Sequence, residues 1–569
     1  MFNLNDDLLM NLYRQNVKTF RRPHEYHKWT NMGPFELANE FYDSRRIGSE
    51  RMLIELNRIF ETDRFTLLAK RWTVDYFHKL FGMLFDALAG EQTVLLENNP
   101  LNTFAVDKFN DISHKKAPVQ WTSRRGIARK LSQIIYRASA ILWFSLRGGI
   151  IFSNSLKQFT LLRESLWGLK KIGLYFHDDF LVDGNRIKKE ELLLFSRGVP
   201  VTRRIEAYED AVDSEYAHFE LNKTPISLNV FFKRILPKYI FAGVFEVMKC
   251  MNNPNFSYFY SIFSFFTASA VPYERIFSNY RIRAELGHSY FQSVHIPESI
   301  VCQNYGTKYY LMHWSDNSPN ANRFVSSFLS CDKFISWGKA HYRGVEGPVE
   351  MIAFTGYVFK SFIKKIMVSR ESLRMQMGIP AGVFVATFYD ESFGNDIRMT
   401  PEHFVNFWEA MLNTAICSPR THVAMKSKEL SRAENLKADL KIKFNGIFSK
   451  LKKHNNFSLI DENKWTFMEA IGISDLVVTQ GMTSSATIAI ICGIEGLYFD
   501  QAECDHPFSR QYHDVLAFDD RDKLVAAIVK IAEHSDKPSK QIPESTIRDF
   551  DAYADDLGID RFRDLVALN

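Results

Sequence analysis

The chain has no C-x-x-C pair and no cysteine cluster; its six cysteines stand apart at 250, 302, 331, 417, 492 and 504. That spacing argues against a zinc ribbon or a disulfide framework and for reduced thiols in a cytoplasmic setting. A secretory signal is not expected either, because the opening MFNLNDDLLMNLYRQNVKTFRR carries acids early and lacks an apolar core followed by small residues. The formal net charge is only +5 over 569 residues, with no arginine-rich motif or zinc-finger spacing, so nucleic acid is not an expected partner. No long run is purely apolar. The longest uncharged stretch, 250–273, contains Asn252, Asn253, Asn255, four serines and two prolines, which suits a buried core segment better than a membrane span.

What is present is a globular composition, 46% hydrophobic and 24% charged, in a chain long enough for two or more cores. Residues 36–90 space their apolar side chains three and four apart, which predicts helices. Short apolar runs come next in QTVLLEN, KIGLYFHDDF and SYFQSVHI, and these predict strands of an α/β layer. From about 346 onward the alternation is regular. GVFVATFYD, THVAMKS, FSLID, DLVVT and GLYFD read as strands, with helical stretches between and after them. Continuously apolar strands in βαβα alternation predict a parallel sheet covered on both faces.

Ligands of such sheets bind beyond the carboxyl ends of the strands. The polar patch after DLVVT occupies that position: Gln480, Gly481, Thr483, Ser484 and Ser485 offer an amide, a close backbone approach, hydroxyls and a helix N-terminus suited to phosphate. Lys426 and Lys428 end a neighbouring strand, and Thr355 and Gly356 end another near the domain junction. The plain alternative is a capped turn and two solvated lysines.

The stretches ISDLVVTQGMTSSATIAIICGIEGLYFD and HPFSRQYHDVLAFDDRDKLVAAI resemble the donor-binding half of GT-B glycosyltransferases that build bacterial capsules and O-antigens. CDKFISWGKAHYRGV followed by IAFTGYVF is similar to the junction of the same group. ERMLIELNRIFETDRFTLLAKRWTVDYFHKLF resembles the helical opening of an O-antigen transferase family catalogued in spirochaetes. The resemblance implies a GT-B-like α/β fold, two Rossmann-type domains facing a cleft, with an additional helical N-terminal part. The expected division is a helical region 1–90, an acceptor domain 91–345 and a nucleotide-sugar donor domain 346–569. It implies a cytoplasmic transferase that needs no metal and no cofactor. The partners would be a nucleotide-sugar donor and a saccharide or lipid-linked acceptor. Thr355, Gly356, Lys426, Lys428, Gln480, Gly481, Thr483, Ser484 and Ser485 would then hold the donor, with the lysines and the helix terminus stabilising the leaving phosphate.

A general base would come from the facing domain, and His295 and Glu298 are the first candidates. The sequence departs from the family pattern in two places. Ile488 stands where a glutamate for the ribose is usual, and two residues separate Gln292 from His295 where the family reads QHG. A polyol-phosphate transferase of the teichoic-acid type and a non-catalytic scaffold of the same fold therefore stay open. His177, Asp178 and Asp179 form a competing strand-end cluster, although D-x-D spacing is absent there, and His506 lies in a loop that could touch the donor. Finally, 124–171 carries ten Lys/Arg and one acid, Glu164, among Trp143, Phe144, Phe152, Phe159 and Trp167, a composition suited to an anionic membrane surface.

Overall fold

The computed structural model describes residues 37–38, 40–44, 51–89, 93–113, 116–122, 126–146, 150–151, 157–164, 192–196, 217–220, 225–287, 293–313, 328–342, 347–391, 393, 399–428, 430–461, 464–501, 511–534 and 542–567. The strand expected in KIGLYFHDDF, with His177, Asp178 and Asp179, lies outside them, as does His506.

Two parallel sheets organise the chain. The first contains β1 (Lys157–Glu164), β2 (Leu192–Ser196), β3 (Ala217–Glu220), β4 (Tyr280–Gly287), β5 (Lys308–Met312), β6 (Cys331–Ser336) and β7 (Val349–Phe354), in the order β7-β6-β5-β4-β1-β2-β3. The second contains β8 (Phe384–Tyr389), β9 (Thr421–Lys426), β10 (Phe457–Leu459), β11 (Leu476–Gln480), β12 (Glu495–Phe499) and β13 (Ala517–Phe518), in the order β10-β9-β8-β11-β12-β13. In each sheet the winding reverses once, between β1 and β4 and between β8 and β11, so both are doubly wound. The α/β, GT-B-like class expected from the sequence, with its helical N-terminal part, is the class observed.

Strands β8, β9, β11 and β12 of the second sheet are buried along nearly their whole length, since helices cover both faces, while the edge strand β10 is partly exposed. This is why they read as unbroken apolar runs. Helices Arg51–Ile59 and Phe65–Ala89 form the helical opening, and their apolar faces share one core with 256–277. Three further helices carry candidate functional residues or the core: α1 (Ile127–Leu146), α2 (Phe256–Asn279) and α3 (His295–Asn304). Helix α2 takes in most of the long uncharged stretch and is a buried core helix, with Phe259, Ile262 and Phe266 enclosed. Among the described residues no helix is long and apolar enough to cross a membrane. The five described cysteines, 250, 302, 331, 417 and 492, are free thiols.

Two expectations need correction. The strand expected in SYFQSVHI is not continued through its end: Ser293 and Val294 form a turn, and His295 opens α3. Pro297 sits in the first turn of that helix, where an amide hydrogen would have no intrahelical partner and proline is tolerated. Second, β7, which falls inside the expected donor domain 346–569, pairs with β6, in register Ser336 to Phe354, and so belongs to the first sheet. The chain also returns to that sheet at its end. Within α6 (Glu544–Phe550), which comes after α4 (Pro401–Cys417) and α5 (Ser484–Ile491) in order, the Phe550 carbonyl lies 3.2 Å from His341 Nε2. Lys333 Nζ donates to the Leu565 carbonyl of α7 (Gly558–Ala567) at 3.2 Å.

Candidate functional site

The register of the second sheet aligns the carboxyl ends of its central strands: Tyr389 pairs with Lys426 on one side and with Thr479 on the other, and Thr479 pairs with Tyr498. The residues just beyond, Asp390, Ser427 and Gln480, therefore emerge side by side at the reversal between β8 and β11. A crevice for ligand is expected at such a reversal.

Hydrogen bonds join these loops. Asp390 is buried and accepts from Ser427 Oγ at 2.7 Å and from the Lys428 backbone N–H at 2.6 Å. Burial pushes its carboxyl up to about 6, against the pull of those two donors. The Lys428 ammonium pairs with Glu391, and the Glu391 N–H donates to Gln480 Oε1 at 3.0 Å. Gln480 is only 1% exposed, and among the described residues its Nε2 has no hydrogen-bond partner. One end of the amide is thus held in place while its donor end is open. An open buried donor costs on the order of 1–3 kcal/mol unless something accepts from it.

Gly481 is next, with φ +67°, and a Cβ there would collide with the Met399 terminal methyl. Its N–H donates to the Phe499 carbonyl at 2.7 Å, which fixes the turn. Thr483 is the N-cap of α5, in extended conformation, and its hydroxyl makes no capping bond. Of the three hydroxyl residues expected at the start of this helix, Thr483 holds the N-cap position, and Ser484 and Ser485 occupy the first turn. Thr400 and Thr466, by contrast, cap their helices through the side chain. The amide groups opening α5 carry the partial positive charge of a helix start, and the Thr483 side chain does not absorb it.

Lys426 is buried at the end of β9, next to Tyr389 in the register. Thr355 and Gly356 belong to a different cluster. The Thr355 hydroxyl, fully buried, is spent on backbone carbonyls at Gly356 (2.8 Å) and Ser336 (3.3 Å). Gly356, at φ +76°, lets Asp551 approach so closely that a Cβ would meet its Oδ1 at 2.5 Å. Asp551 accepts from the Tyr357 N–H at 3.1 Å and pairs with Lys360 at 2.9 Å, while Arg561 donates to the Thr355 carbonyl at 3.2 Å. This loop ties the C-terminal helices to the first sheet, and its polar groups are engaged in that task.

His295 and Glu298 stand on α3, beyond the end of β4, and are enclosed at 0% and 2% exposure. His295 Nε2 lies 3.3 Å from the Phe328 carbonyl, and Glu298 accepts from the Tyr309 hydroxyl at 2.8 Å. Both contacts are made among residues 295–328, around the first sheet.

Sequence reasoning missed Asp390 and Glu391, although the strand-end argument applied to THVAMKS and DLVVT also reaches the Asp that closes GVFVATFYD. Among the described residues one group has metal-ligand proximity: His513, Asp514 and Asp519, all exposed, within 4.8 Å of one another. Lys523 already holds Asp514 at 3.0 Å and keeps its carboxyl below the usual range.

A further titration concerns the sheet itself. His422 of β9 is hydrogen-bonded to Ser458 at 2.9 Å, and burial, with Arg374 nearby, pushes its imidazole down to about 4. Its folded value is lower than its unfolded one, so its stabilising contribution is present above pH 6.5 and is lost as pH falls from there toward 4. The loss is expected to reach roughly 3 kcal/mol. Asp390, raised to about 6, acts in the opposite sense, favouring the fold at low pH and losing that contribution as pH rises through 6. Urea midpoints at pH 7.5 and 5 should therefore separate the wild type from His422→Gln. The variant should lose clearly less on acidification, and an equal loss in both would contradict the assignment.

No family model matches the chain, and no curated protein matches it. Solved structures do. The wall teichoic acid polymerase TagF, in a form soaked with CDPG, matches at 10% identity with a TM-score of 0.43, over 78% of this chain and 98% of that one. The UDP-GlcNAc 2-epimerase of Methanocaldococcus jannaschii matches at 10% identity and TM-score 0.40, over 72% and 100%. The UDP-forming α,α-trehalose-phosphate synthase of Burkholderia vietnamiensis matches at 11% and 0.40, over 73% and 96%. At such identities and scores these are likenesses of architecture, and the activity has to be argued from the residues of this chain.

Proposed function

We propose that the chain is a glycosyltransferase, moving a sugar from a nucleotide-activated donor to a saccharide or lipid-linked acceptor in surface-polysaccharide synthesis. The observation that carries this reading is the open Gln480 amide beside the uncapped start of α5, at the reversal of a doubly wound sheet. Both are donors that a phosphate would satisfy. In this reading Gln480, Gly481, Thr483, Ser484 and Ser485 bind the leaving phosphates, Lys426 and Lys428 neutralise their charge, and Asp390 and Glu391 hold the lysine loop and Gln480 in place. Thr355 and Gly356 act on the donor only through the loop they shape. The second sheet is the donor unit and the first the acceptor unit, with His295 or Glu298 as general base after an opening of α3 that exposes it.

Ile488 is buried in α5, so the ribose has to be recognised by a group other than a glutamate at that position. The same fact favours the scaffold alternative, and polyol-phosphate transfer remains an alternative chemistry for the same site. Calorimetry with uridine, guanosine and cytidine diphosphates tests the reading directly. Lys426→Met is expected to weaken binding about tenfold or more, as for the loss of one hydrogen bond to a charged group, with little change in melting temperature. Absence of binding by every nucleotide would favour the scaffold. A screen over nucleotide sugars and CDP-polyols then separates the two transfer chemistries.

A further inference from the structure

Helix α1 turns an apolar face to solvent along its whole length. Ile127, Leu131, Ile135, Trp143 and Leu146 are all exposed, Ile127 and Trp143 to 64%. The other side buries Ile134, Ala140 and Ile141. An ordinary surface helix has one apolar face, directed at the core, and this one has two. The exposed face extends about 30 Å for a helix of this length. The helical segment 228–249 packs against α1 and adds Phe232, Phe241 and Phe245, each more than half exposed. A scattered exposed leucine needs no explanation, but a continuous row does.

Charge selects the occupant. Helix α1 contains no acid, and of its cations Arg137 is buried and Lys130 turns inward to the Met251 carbonyl, so Arg129, with Lys233 of the neighbouring segment beside Phe232, supplies the exposed charge. Arg129 is exposed beside the apolar row. A second copy of the chain docking by two-fold symmetry would bring two sets of these exposed cations to one face, where α1 offers no acid to pair them. An anionic bilayer accepts both features: the apolar row enters the headgroup boundary, Trp143 and Tyr136 sit at the interface, and the exposed Arg129 and Lys233 reach the lipid phosphates.

We propose that α1, with the neighbouring segment 228–249, is an in-plane docking surface for an anionic lipid bilayer. Only the further point that this surface presents the protein to a lipid-linked acceptor rests on the transferase reading; the docking itself does not.

Flotation with vesicles of phosphatidylcholine, with and without phosphatidylglycerol, tests the proposal on the full chain. Binding is expected with the anionic vesicles and is expected to fall as salt rises. Arg129→Glu should weaken it about tenfold or more, since it removes a contribution of roughly fivefold and adds a repulsion of similar size. Ile135→Glu with Trp143→Glu should abolish it. Nucleotide calorimetry and melting temperature, unchanged in these variants, show that the fold and the donor site are intact. Absence of flotation, equal binding to neutral and anionic vesicles, or a concentration-dependent dimer that Ile135→Glu dissolves would each overturn the proposal, the last in favour of a second copy.

Discussion

Replacing Asp551 by alanine is expected to lower the free energy of unfolding by about 3–5 kcal/mol, the range seen when one partner of a buried ion pair is removed. Asp551 is 0% exposed and Lys360 4%, so the truncation strands an ammonium group away from water. It also removes the acceptor of the Tyr357 N–H. The pair spans 191 residues and fastens the end of α6 to the loop after β7, so the loss should appear as a lower urea midpoint and as earlier release of the C-terminal helices. Lys360→Met alone should also be costly, because it leaves the carboxylate buried with the Tyr357 N–H as its one remaining donor among the described residues. The two together should cost less than their sum, and a double-mutant cycle measures that difference. Gly356→Ala is a milder route to the same damage, since its Cβ displaces the same carboxylate. A fall of less than about 1 kcal/mol in Asp551→Ala would show that the pair is hydrated and that this junction is not the tie described.

The second large effect concerns binding. Because Thr483 is the N-cap of α5, the double variant Ser484→Ala, Ser485→Ala should melt close to the wild type. Loss of a true cap would cost about 0.5–2 kcal/mol. Nucleotide affinity, in contrast, should fall by about one to two powers of ten for each hydrogen bond lost to a charged phosphate. Melting temperature and calorimetry on the same preparation decide between the two roles. If the double variant melts early and binds nucleotide normally, the QGMTSS patch is a helix start and nothing more, and the transferase reading loses its main support.

Much of the C-terminal half could be read from the chain in order. Strands such as Leu476–Gln480 and Thr421–Lys426 are enclosed on both faces, so burial leaves a continuous apolar signature, and the helices between them keep their own period. The strand-end rule then located Lys426, Lys428 and Gln480 without coordinates, because in a parallel sheet every strand ends on the same side. Local sequence has no access to partners far away in the chain. Val349–Phe354 has the pattern of a strand in either sheet, and its pairing with Cys331–Ser336 is a long-range choice. The bond from Glu391 to Gln480 spans 89 residues, and it alone leaves one end of that amide open. His295 and Glu298 have the chemistry of a base, but α3 packs them against Phe328 and Tyr309 beside the first sheet, with almost no exposure. Helix Ile127–Leu146 shows its basic and aromatic residues in sequence, yet which of its two apolar faces meets the core and which meets solvent depends on what packs beside it, a property of the assembled fold and not of the helix.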